Sequence, residues 1–147
     1  RRDEHAEVPV YSLRLMLAGA VEIEAENAHW NLTAGDVLLM PPCHSRRIGT
    51  RSGAQWLTIG LRAFLFGQVD VLQPLAPAQW QTERGSLLEN WLRELVAHRN
   101  FCDEASSLVT HGLAVAIVGR CAQASGQPNF LQAAQRRFPA WLRDVLR

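Results

Sequence analysis

The chain has no lysine: all fifteen of its basic residues are arginines, set against fourteen acidic residues for a net charge of +1. That balance supplies no electrostatic footprint for DNA or an anionic membrane, and the arginine usage reads as coding bias rather than phosphate recognition. Cysteine is scarce. Cys43, Cys102 and Cys121 are an odd number with no C-x-x-C spacing, which argues against a disulfide framework or a zinc finger and for a reducing, cytoplasmic location. No apolar run approaches the ~18–20 residues of a membrane span, so no membrane partner is expected. Catalytic signatures are also missing: there is no G-x-S-x-G, no phosphate loop, no paired-carboxylate site and no full set of metal ligands. Glu22 and Glu24 stand two apart on the wet face of a strand, where solvation is the ordinary role. The expectation is a non-enzyme without a cofactor. The chain opens at Arg1 without methionine and stops in mid-pattern at Val145-Leu146-Arg147, as a piece of something longer would.

What is present is patterned in two ways. From Tyr11 to about Leu72 the period is two: Tyr11, Leu13, Leu15 and Leu17 alternate with Ser12, Arg14, Met16 and Ala18. After an expected turn at Gly19-Ala20, Val21, Ile23 and Ala25 alternate with three glutamates, and Trp30 and Leu32 with His29, Asn31 and Thr33. Such alternation predicts strands with one wet and one buried face. Gly35-Asp36 turns the chain into Val37–Met40, apolar on both sides and therefore deep in a sheet. Further turns at 49–53 and at Gly67-Gln68 bracket a strand around Trp56–Leu61. Short strands at this spacing predict a β-barrel or sandwich over residues 1–73.

From Pro74 the period becomes helical, and residues 74–138 read as a helical segment. Ser86-x-x-Glu89 is a capping box ahead of the stripe Leu87, Leu88, Trp91, Leu92, Leu95 and Val96. Asp103 caps a second helix that ends near Gly126 and is apolar around most of its circumference from Leu108 to Val118. In it Gly112, Ala116 and Gly119 recur at i+4 and i+3, with Val109 one turn earlier. That groove of small side chains predicts a homodimer contact. A last stretch begins at Pro139, with Trp141, Leu142, Val145 and Leu146 on one stripe.

Strand, Gly35-Asp36, buried strand, Pro41-x-x-His44 resembles the second cupin motif, and Gly19 matches the glycine that closes the first. The order of parts (a small barrel, paired helices, then a proline-initiated W-L-x-x-V-L helix) resembles the N-terminal effector-binding and dimerisation domain of bacterial AraC-type transcription regulators. The resemblance implies a mainly β plus α fold: a cupin-like β-barrel (jelly roll) followed by a helical dimerisation segment. It further implies a small-molecule effector, and DNA contact only through a helix-turn-helix domain of which 139–147 would be the start. Metal-binding cupins carry two histidines and a glutamate in motif one. The aligned positions here are His5, Glu7 and Ser12, so serine interrupts the ligand set and no metal is expected. The alternative is a free-standing metal-dependent cupin enzyme, an isomerase or dioxygenase, using His5, Glu7 and His44. A third reading is an interaction module with a filled barrel. The expected ligand-binding residues are Tyr11, Trp30, His44, Arg46 and Trp56. His44 would line the barrel mouth, one of Arg46 and Arg47 would reach the interior, and Trp56 would face away from Leu57, Ile59 and Leu61. Cys43 reads as an inert buried thiol.

Overall fold

The computed structural model describes residues 2–65 and 69–135, with side chains at 8–63 and 70–132. Among the described residues, nine strands precede the helices: β1 (Arg2–Val8), β2 (Tyr11–Ala25), β3 (Ala28–Thr33), β4 (Asp36–Met40), β5 (Cys43–Thr50), β6 (Ala54–Leu61), β7 (Phe64–Leu65), β8 (Val69–Asp70) and β9 (Ala78–Gln81). The helices are α1 (Leu87–His98), α2 (Glu104–Ala124) and α3 (Phe130–Gln135). All strand pairs are antiparallel, and seven strands form one sheet that curls into a half-barrel, as a cupin-like fold requires. The Gly67-Gln68 turn and the helix expected from Pro139 lie outside the described residues.

The sheet is organised around β2, which does not turn at Gly19-Ala20. It runs on as one fifteen-residue strand and changes partners midway. Tyr11–Leu15 pair with β4 and β6, whereas Ala20–Ala25 pair with β3 and β5. The register against β6 shifts between Met16 and Ala18, so one extra residue is accommodated there. A bulge of this kind bends the strand and exchanges its faces. Gly19, at φ 79°, sits at the bend, where an added Cβ would lie 2.4 Å from the Gly53 carbonyl oxygen. Only glycine fits that backbone and that approach.

The bulge splits one run of odd-numbered apolar residues between two cores. Tyr11, Leu13 and Leu15 face the helices, with Val37, Leu39, Leu72, Leu92, Ile117 and Cys121. Val21, Ile23 and Ala25 face the inside of the curl, with Met16, Leu32, Leu38, Met40 and Ile48. Ser12, Arg14 and Met16, expected on a wet face, are therefore buried. With both faces covered, the first half of β2 has no solvent side. Val37–Met40 are buried throughout, as expected of a strand between two cores.

The strand-rich part extends past residue 73, because Ala78–Gln81 pair with β4 as an edge strand. The passage 74–86 was expected to open the helical segment, yet Pro74 and Pro77 exclude an uninterrupted helix there. Helix α1 starts after Ser86, whose hydroxyl accepts the Glu89 amide at 3.3 Å. The reciprocal half of the capping box does not form: the Ser86 amide donates to the Glu83 carbonyl, and the Glu89 carboxylate pairs with Arg93. Leu88 and Leu92 are buried against the sheet while Leu87 is exposed. Each such burial stabilises by about 1.5–3 kcal/mol.

Asp103 caps α2 as expected, its carboxylate accepting the Ser106 amide at 2.8 Å. Ile117, Cys121 and Ala122 pack inward, and Arg120 lies over the Trp91 ring of α1 at 5.9 Å. By length and composition α2 could cross a membrane, contrary to the count of uninterrupted apolar residues. Isolated polar residues break its runs without lowering its average.

Candidate binding site at one end of the curled sheet

Strand register defines which side chains share the inner face. From the first half of β2 these are Ser12, Arg14 and Met16, opposite Gly60, Thr58 and Trp56 of β6 and, for the first two, Met40 and Leu38 of β4. From the second half, Ile23 stands between Trp30 and Ile48, and Ala25 between Ala28 and Arg46. Its middle layers are filled by the buried Met16, Ile23, Leu32, Leu38 and Ile48. A cleft of about 280 Å³ opens where Ala25 and Met40 end their strands. Trp30, Met40 and Cys43 line it, with the Glu26-Asn27 turn and Pro41-Pro42 on its rim.

Three of the five expected ligand residues belong to this face. Trp30 lines the cleft, and Trp56 is half-buried, facing away from Leu57 and Ile59. Arg46 shares the inner side with Ile48, and its Nε is buried without a hydrogen-bond partner among the described residues. Arg47 pairs instead with Glu24 in register on the outer side.

Tyr11 and His44 are placed elsewhere. Tyr11 packs in the layer between sheet and helices, and its hydroxyl donates to the Asp70 carboxylate. That carboxylate also accepts the Leu72 amide at 3.0 Å, so Tyr11 anchors the 70–72 segment. His44 is exposed; its backbone amide donates to the Glu26 carboxylate at 3.3 Å. The pairing of β1 with β5 is irregular there, with Ala6 opposite Arg46 but Val8 opposite Cys43. This irregularity turns Cys43 inward in place of His44. The His5 and Glu7 side chains lie outside the described ones.

Arg14 was not expected here. It is 3% exposed, with its guanidinium 4.6 Å above the Trp56 ring. A buried cation demands compensation, and a ring face supplies part of it. The sequence held no signal for this, because Arg14 alternates with leucines as any solvated residue does. Burial, the largest influence, raises the Cys43 thiol pKa, and the opposing Arg46 charge does not overcome it.

On α2, Val109 and Gly112 are exposed, and Ala116 and Gly119 half-buried. An added Cβ at either glycine would meet nothing within 4 Å. Leu108 (74% exposed) and Val115 (59%) complete the surface, within the stretch expected to be apolar around most of its circumference.

A family model of the AraC-like ligand binding domain matches residues 3–138. The chain belongs to the AraC-like ligand binding domain family. No curated protein matches it. The match spans β1 to α3, so in this AraC-like domain the curled sheet and the helices belong to one family unit. Its cupin-like residues are largely folding signals. Gly35 makes the β3–β4 turn at φ 91°, and the Asp36 carboxylate accepts the Thr33 amide at 2.8 Å across it.

Proposed function

We propose that this domain senses a small molecule at the inner face of its sheet and forms a homodimer through α2, as the regulatory part of an AraC-type transcription regulator. The single observation that carries the sensing reading is the inner face itself. It carries Arg14 stacked on Trp56, the cation Arg46, and Trp30, which lines an open cleft at its end. A few polar groups set in an apolar wall are the usual make-up of a small-molecule site. Arg46 Nε, buried and without an acceptor among the described residues, favours an effector with an anionic group. The family match favours the regulatory reading over the metal-dependent enzyme.

Dimerisation is supported by the spacing on α2. Leu108, Gly112, Val115 and Gly119 follow at i+4, i+3 and i+4, the seam of a left-handed helix pair, with Val109 and Ala116 on its flank. Large and small residues alternate along about 16 Å, so a second copy of the same helix is the complementary surface. A dimer also covers the apolar face that would otherwise suit lipid. DNA reading is assigned to helices beyond these 147 residues, and the location to the cytoplasm, where the free thiols Cys43, Cys102 and Cys121 are stable.

The test is a thermal-shift screen of anionic metabolites. A true effector at 100 times its Kd adds about 2.7 kcal/mol. That gain should vanish in Arg46→Ala. Hits retained by the variant would place the site elsewhere.

A further inference from the structure

A second cavity, of about 410 Å³, lies outside the curl where β2 bends away from β4. Pairing of β2 with β4 ends at Leu15 opposite Val37, and the bulge beyond Met16 leaves a gap. Two backbone hydrogen bonds fix its walls. The Gly35 amide donates to the Met16 carbonyl at 2.9 Å, and the Thr82 amide donates to the Gly35 carbonyl at 2.8 Å. Three segments far apart in sequence, the β2 bend, the β3–β4 turn and the linker into α1, are thereby tied around one space.

The chemistry of this space differs from that of the inner face. Leu15, Met16 and Leu17 bring apolar surface to it, and Glu83, Arg84, Glu89 and Arg93 bring two charges of each sign. Glu83 and Arg84 are exposed, and their side chains make no hydrogen bond or ion pair among the described residues. Arg93 contacts Glu89 through Nε alone at 3.3 Å, so its two terminal amino groups remain available. Glu89, its carboxylate released from the capping box, contacts only the Arg93 Nε among the described residues.

We propose that this cavity binds a zwitterionic α-amino acid with an apolar side chain, with the carboxylate on Arg84 and Arg93, the ammonium on Glu83 and Glu89, and the side chain on the β2 bend. A lining of zero net charge gives little attraction for a simple anion or cation, whereas a ligand with both charges satisfies both pairs. The volume lies within the range of small-ligand sites. Because α1 supplies two of the four charged groups, occupancy ties the sheet to the helical half, independently of any effector at the inner face.

The test is an amide NMR titration of the intact chain with L-leucine as probe, alongside N-acetyl-L-leucine and L-leucinamide. Saturable shifts centred on Ala18, Gly35 and Thr82 are expected for L-leucine. Each analogue, lacking one charge, should bind at least about tenfold more weakly, the effect of losing a charge-assisted hydrogen bond. Arg84→Ala with Arg93→Ala should remove the preference for L-leucine over L-leucinamide. His29→Ala, at an exposed position that lines no part of this cavity, should leave the titration unchanged. No saturable shift, equal binding of the three compounds, or shifts centred on Trp30 would overturn the proposal.

Discussion

Individual residues carry their effects through position more than through type, and the glycines and cysteines show it best. Gly19 and Gly53 both have positive φ, but only Gly19 is pressed against another backbone. Gly53→Ala should cost about 1–2 kcal/mol from the left-handed conformation alone. Gly19→Ala should cost distinctly more in urea denaturation, because the new Cβ also collides with the Gly53 carbonyl. Burial likewise orders the thiols. It raises the Cys121 pKa to about 12, so alkylation at pH about 8 should modify exposed Cys102 first and Cys121 only after unfolding. Trp56→Leu removes the ring beneath Arg14 and should destabilise by about 2 kcal/mol, the scale of a desolvated cation–π contact.

Among the elements, α2 is the most informative, because its two ends and its open side make separate claims. Its cap, Asp103, has a lowered pKa, first from the Ser106 amide and then from the Ser106 hydroxyl. A depressed carboxylate contributes stability above its unfolded pKa and loses it as pH falls through the folded value. Helix content followed by circular dichroism should therefore drop on acidification below about pH 4. Asp103→Asn, which keeps the cap without the titration, should remove that component of the drop. On the open side, a Cβ added at Gly112 meets nothing within 4 Å, and Gly112→Leu gains most of the about 0.8–1.0 kcal/mol by which glycine trails alanine in helix propensity. Within a dimer seam the same leucine would fill the space a partner needs. The expected outcome in sedimentation is a monomer at least as stable as the wild type; an unchanged dimer would move the interface off this face.

At the scale of the whole molecule, the sheet and helices share one core. Tyr11, Leu13 and Leu15 of β2 pack with Leu92 of α1 and Ile117 of α2, so β2 and the helices are in direct side-chain contact. Specific DNA binding needs an element that enters a groove and reads base edges. None of the described helices combines exposure with a basic face, since Arg120 of α2 is engaged with Trp91. Mobility-shift titration of this chain should show only weak, salt-sensitive association, with Kd on the order of 10⁻⁴–10⁻⁶ M.

The sequence by itself determined the order of parts: period-two strands, then capped helices, with Gly35-Asp36, Ser86 and Asp103 marking boundaries where local hydrogen bonds decide. It also exposed the surplus of apolar surface on α2, because a helix apolar all round cannot bury itself on one layer. Only the tertiary structure decided which face each strand residue occupies. Tyr11 and Val21 stand in the same alternation, yet the bulge between Met16 and Ala18 sends them to different cores. One inserted residue reverses a period of two, and its placement depends on partner strands far along the chain. For that reason Arg14 was legible as solvated and Tyr11 as a pocket wall, when the structure buries Arg14 inside and gives Tyr11 to the helices. His44 was displaced by the same kind of irregularity, on β5.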